Sequence, residues 1–310
     1  MMLDKQMLRS GRLPLNRVLP FICLLVLTCL FGVNQADDSN KLCLWKIDHE
    51  GSRVYLLGSV HLMKEDMYPL PYPITAAFNE SDVVVFEIDL TEMDEIEIAN
   101  LMEQQGIYTP PATISDDLSP ETLELLNDYL EEEGIKLDQV SQMKPWMLSL
   151  YISIMDLEQL GFKTELGLDQ HLNQKAMDQD KETDGLETAA QQISFLSGEH
   201  MEIQDLSLRA YLSERHQVQE ETGKMISAWR SGDADGLYEL AIDQILEYPE
   251  LQNQMDRLIL ERNLNMVQKI RGYLDTQRKF MVVAGALHMG GPEGIIQLLS
   301  EDFTVEQISY

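Results

Sequence analysis

"FMVVAGALHMGGPEG", Phe280 to Gly294, is a short apolar run of β type that turns at a glycine and reaches a histidine three residues later. "VYLLGSVHLM", Val54 to Met63, repeats the device near the start of the folded part. A third run, "SDVVVFEID" at residues 81–89, is continuous enough in Val and Phe to be buried on both faces, and it closes on Glu87 and Asp89. In an open α/β sheet, ligands bind beyond the carboxyl ends of the strands. His61, Glu87 and His288 are therefore predicted to meet at one sheet edge although they are distant in sequence.

Outward from these runs, residues 42–58, "LCLWKIDHEGSRVYLLG", read as two strands around the turn-rich "DHEGS". The middle of the chain, about 91–277, has helical periods, with start signals such as Ser119 followed by Pro120. "KPWMLSLYISIMDLEQLG" is nearly all apolar and reads as a core helix, and a long helical stretch runs from Ile203 to Arg230. β character returns at "KFMVVAGALH" and at "FTVEQI". The predicted fold is α/β: a mixed central sheet built from the N- and C-terminal parts, with a large helical middle.

Residues 1–17 carry Lys5, Arg9, Arg12 and Arg17 against Asp4, and the apolar "VLPFICLLVLTCLFGV" follows. That is the layout of an export signal, residues 1–36, with cleavage after Ala36 or retention as an N-terminal anchor. The folded domain then spans 37–310 and is expected to be periplasmic or secreted. Of the three cysteines, Cys23 and Cys29 lie in the leader, so Cys43 is alone and the fold rests on its core rather than on a disulfide. With 53 Asp plus Glu against 23 Lys plus Arg, the surface repels nucleic acid and anionic lipid. Neither is an expected partner, and no membrane contact is expected beyond the anchor.

Two imidazoles and a carboxylate form a three-ligand metal set with open positions for water and substrate. Gly58 and Gly285 let the backbone turn sharply at the strand ends and leave room for a ligand. Each piece alone is common, since a histidine at a strand end is usually hydrogen-bonded structure. The combination points to a site.

Several stretches carry a resemblance: "LWKIDHEGSRVYLLGSVHLM", "VVVFEID", "GLDQHLNQKA", "GLETAAQQISFL", "ERNLNMVQKI" and "VVAGALHMGGPEGIIQLL". In this order they resemble the TraB/GumN family, whose relatives include the TIKI metalloproteases and, more distantly, the erythromycin-esterase and ChaN-like proteins. The resemblance implies an EreA/ChaN-like fold and a metal-dependent hydrolase, foremost a peptidase, with His61, Glu87 and His288 in the active site. Mn or Co is the implied divalent ion, with Zn as a further option, and the substrate is a peptide or small molecule. The alternative is a non-catalytic binder of peptide, pheromone or haem in the same cleft, and a third reading is a metal-free esterase with His61 as base.

The family-like motifs also nominate supporting residues: Asp169, Glu187, Arg262 and Asn263. Arg262 suits a bidentate grip on a carboxylate, either Glu87 or substrate, and so joins the catalytic set. Asp169 could equally satisfy first-turn amides of its own helix. "HMGGPEG" is read chiefly as a tight turn from strand to helix.

Overall fold

The structure, a computed structural model, describes residues 40–89 and 95–310. The leader at 1–36 and the start of the helical middle at Thr91 lie outside the described residues.

The strands are β1 (Lys41–His49), β2 (Ser52–Ser59), β3 (Val83–Ile88), β4 (Glu182–Glu187), β5 (Lys279–Gly285) and β6 (Glu306–Ser309). They form one sheet in the order β4-β3-β5-β2-β1-β6. β1 and β2 make the predicted hairpin, closed by Glu50 and Gly51, both with positive φ (47° and 95°). Those angles match the twist that a two-residue hairpin turn requires. β2 pairs parallel with β5, β5 with β3, and β3 with β4. Four parallel strands thus end on the same side of the molecule.

The inner strands earn their places by composition. All six residues of β3 are buried, as are the five central residues of β5. Helices cover the sheet: Arg262–Leu274 packs on β2 and β4, Val218–Arg230 on β1, and Leu168–Asp178 on β3. The resulting core is continuous across the sheet.

Two features differ from the sequence reading. Within the middle region read as helical, "ETDGLE" is strand β4 at the sheet edge. Its Asp, Thr and Gly give no apolar run, because only Leu186 and Glu187 at its end are buried. The long helical stretch from Ile203 to Arg230 is divided into two helices, Met201–Glu214 and Val218–Arg230, joined by a 3-10 turn at Arg215–Gln217. No Gly or Pro marks that break. Among the described residues, no helix is long and apolar enough to cross a membrane.

Candidate active site

Each of the four parallel strands delivers a polar group to the shared edge. β2 leads into His61, β3 carries Glu87, β4 ends on Glu187, and β5 ends on Gly285 ahead of His288. A Cβ added to Gly285 would stand 3.2 Å from Glu87 Oε1, 3.6 Å from His61 Nε2 and 3.6 Å from His288 Cδ2. The three residues therefore surround a single point, and a side chain there would fill it. At Gly58 an added Cβ would come within 3.2 Å of Ala286, so the two Gly-x-x-His segments pass closely and any side chain there would press them apart.

The two histidines are anchored in the same way and tuned in opposite directions. His288 Nδ1 lies 2.7 Å from Asn263 Oδ1, while Asn263 Nδ2 donates to the Glu293 carbonyl at 2.8 Å. Because the amide nitrogen is committed as donor, Oδ1 accepts, and His288 carries its proton on Nδ1. Burial, reinforced by the Arg262 guanidinium, pushes its pKa down to about 3. It is a neutral imidazole with its Nε2 lone pair free.

His61 Nδ1 meets the Asp169 carboxylate at 3.0 Å, which makes Nδ1 the protonated nitrogen here too. Burial works against its charged form, but the Asp169 carboxylate, with help from Glu87, outweighs it and raises the pKa above the ordinary histidine value. Asp169 reaches His61 because Gly167 lets its helix approach. A Cβ on Gly167 would fall 2.2 Å from the His61 carbonyl oxygen. The Leu168 N–H also donates to the Val60 carbonyl at 2.9 Å, tying that helix start to the β2 exit.

Under the histidines lies a buried ionic group. Arg262 Nη2 donates to Glu87 Oε2 at 2.5 Å and to Glu187 Oε2 at 2.8 Å, and its Nε reaches both Glu187 oxygens at 3.0 Å. Gln192 Nε2 bridges the two carboxylates at 2.9 and 3.0 Å, and the Gly285 N–H donates to Glu87 Oε1 at 2.6 Å. Burial alone would raise the Glu87 pKa. Arg262, followed by the two histidines and the Gly285 amide, instead holds it down to about 2. Arg262 and Asn263 are consecutive, and a π-helical stretch at Asp256–Glu261 leads directly into them. π-Helical turns of this kind recur at functional sites. Here one helix start serves both Glu87 and His288.

A cavity of about 130 Å³ opens onto His61, Glu87, Arg262 and His288. By the same measure a water needs about 10–15 Å³, so the space admits a small group of atoms rather than one solvent molecule. Its other walls include Leu157, Phe162, Leu237 and Ile259, which keep the polar floor in apolar surroundings.

A family model described as TraB/PrgY/gumN matches residues 43–307. The chain belongs to this family. Among curated relatives, the protein YbaP from Escherichia coli (strain K12) is 27% identical over 248 residues, covering 79% of this chain and 87% of that one. The YbaP of Shigella flexneri matches to the same extent. No solved structure matches.

In this TraB/PrgY/gumN chain the structure brings together His61, Glu87, His288, Arg262, Asp169, Glu187, Asn263 and the glycines Gly58 and Gly285. Asp169 makes no side-chain cap on its own helix and turns to His61 instead. The "HMGGPEG" segment is spent on packing: the Gly291 N–H donates to Asp235 at 2.9 Å, and Gly290 abuts the Ala234 carbonyl. Sequence reasoning passed over Gln192 and Gly167. Gln192 follows Gln191, which caps its helix with Thr188, and only the 3.6-residue period distinguishes the inward glutamine from the outward one.

The donor set meets a metal ion only in part. His61 and His288 have Nδ1 anchored and Nε2 unclaimed, which is how ligating histidines are held. Glu87 differs, because both its oxygens already accept hydrogen bonds and one lies against a guanidinium. Among the described residues, no group of three or more His, Cys, Asp or Glu is arranged to hold a metal ion.

Proposed function

We propose that this chain is an exported hydrolase and that its cleft cleaves an acyl bond, with peptides as the first substrate class. The observation that supports the reading is the opposed tuning of two anchored histidines on one cavity. His61, backed by Asp169, is the proton acceptor. His288, held neutral, accepts a hydrogen bond through Nε2 and orients a water molecule. Pairs of titratable groups driven apart by their surroundings mark acid and base roles.

In the reaction, His61 Nε2 takes a proton from the water as its oxygen bonds to the substrate carbonyl carbon. The imidazolium returns that proton to the leaving nitrogen or oxygen as the acyl bond breaks. Asp169 stabilises the imidazolium, and the Glu87 carboxylate favours it further against the opposing Arg262 guanidinium. Arg262 keeps two carboxylates buried beside the cleft without letting either drift onto the substrate.

A second reading, hydrolysis assisted by a divalent ion such as Mn, Co or Zn, is favoured by the free Nε2 atoms of His61 and His288. These two would hold the ion, and Glu87 would join only by exchanging one of its present partners. The ion would supply Lewis-acid polarisation and a more acidic water. Metal content and peptide hydrolysis, measured together before and after chelation, separate the two. Cleavage that survives removal of all metal supports His61 as base, whereas cleavage that is lost and restored by added ion supports the metal-assisted route. A protein that cleaves nothing, with or without metal, yet retains a bound ligand is a binder, and the hydrolase reading fails.

A further inference from the structure

A second cavity, of about 280 Å³, adjoins the first, and Phe162, Thr222 and Ile226 line both. Its lining includes Lys64 and Arg230. In so acidic a chain most cations are neutralised, and every other arginine among the described residues has a carboxylate partner. Arg230 and Lys64 have no such partner among the described residues. Lys64 Nζ instead lies 4.4 Å over the Phe162 ring, against the wall common to both cavities. The one acid on this lining is Asp66, which is exposed.

We propose that this second cavity is a subsite for a carboxylate of the substrate, held between Lys64 and Arg230; this rests on the reading of the first cavity as a hydrolytic site. The helix Val218–Arg230 sets the distance. Thr222, Ile226 and Arg230 follow at four-residue intervals and so share one helix face. Eight residues of helix rise about 12 Å, which an extended peptide covers in three to four residues. Because Thr222 and Ile226 both line the first cavity, Arg230 stands about 6 to 12 Å along the helix from its wall, so the favoured substrate carries an acidic side chain or its C-terminal carboxylate about two to four residues beyond the part held in that cavity. Arg230 supplies a fork for the carboxylate and Lys64 a compact charge near the active-site wall. Elsewhere the negative surface repels such peptides, so the two cations also select the end that enters.

The test uses fluorescent peptides that place Glu at successive positions, each with its Gln counterpart, and each with a free or an amidated C-terminus. Binding and cleavage are both measured on the intact folded protein. Wild type is expected to favour one Glu position, or the free terminus, over its neutral counterpart by about tenfold, and which arm responds identifies the source of the carboxylate. Lys64→Gln with Arg230→Gln should bring that ratio to about one. The remote pair Lys41→Gln with Lys136→Gln, which removes the same charge, should preserve it. Equal binding of acidic and neutral peptides by wild type, no binding of the acidic ones, or an equal loss of preference in the remote pair overturns the subsite. A binding preference without cleavage of any peptide leaves the subsite standing and overturns the hydrolase.

Discussion

His61 Nδ1 and Asp169 Oδ1 lie 3.0 Å apart although 108 residues separate them in the chain. The contact joins the exit of a sheet strand to the first turn of a helix from the middle region. Its counterpart, His288 with Asn263 at 2.7 Å, uses a neutral amide in place of a carboxylate. That difference in partner, together with the Arg262 guanidinium acting on His288, makes the twin Gly-x-x-His segments chemically unequal. One histidine is prepared to take a proton and the other to refuse it.

Asp169→Asn should therefore act on pH dependence as well as on rate. Removing the carboxylate removes what raises the His61 pKa, so His61 deprotonates at lower pH. A base works in its deprotonated form, and the acid limb of the rate profile should move to lower pH. The plateau should drop by up to about 10⁴-fold, the effect of losing the carboxylate that orients and supports a general-base histidine. An unmoved acid limb would remove Asp169 from this role.

Gly167→Ala tests the same contact through packing alone. The new Cβ would meet the His61 carbonyl oxygen at 2.2 Å, so the helix Leu168–Asp178 must retreat. Overpacking of this kind costs about 1–3 kcal/mol. Activity should fall together with the His61 pKa read by NMR, in a protein whose circular dichroism is unchanged. Retention of both the rate and the pKa would show that the approach is dispensable.

The buried ionic group predicts two windows of acid destabilisation. His288 folds with its pKa lowered from 6.5 to about 3, so its contribution is full above about 6.5 and is lost as pH falls toward 3. Glu87 folds with its pKa lowered from 4.5 to about 2, so its contribution is lost between about 4.5 and 2. Urea unfolding at stepped pH should show stability falling from below about 6.5 and more steeply below about 4.5. At neutral pH Arg262→Ala should lose about 3–5 kcal/mol by leaving two carboxylates buried without their cation. A loss under 1 kcal/mol would mean that the group is hydrated.

The strand-end residues were legible because apolar runs are conspicuous. His61, Glu87 and His288 each follow or end such a run, and sheet topology alone requires them to converge. Arg262, Asn263 and Asp169 were recognisable as helical polar residues in familiar motifs, but their partners were not, since a helix start does not declare which strand it faces. β4 was illegible for a physical reason. An edge strand needs only one apolar side chain to dock, so Glu187 arrives at the site on a segment with no apolar run, inside the region read as helical. Gln192 and Gly167 act through burial and close approach, which appear only once the helices are placed.

The reading of residues 1–36 as an export signal carries a separate prediction. If residues 1–36 direct export and are cleaved, mass spectrometry of the protein recovered outside the cytoplasm should give an N-terminus near Asp37. Recovery of the intact residues 1–36 in a membrane fraction would establish an anchor instead.

The central claim is that His61 and His288 form one hydrolytic centre, and a double-mutant comparison tests it most directly. Cleavage of a peptide library is measured for wild type, His61→Ala, His288→Ala and the double variant, with exposed His216→Ala as control. Residues that act as a unit lose activity non-additively. Each single variant should lose at least about 100-fold, the double variant should be no slower than the worse single one, and His216→Ala should match wild type. Losses that multiply in the double variant, or full activity in either single variant, would contradict that claim.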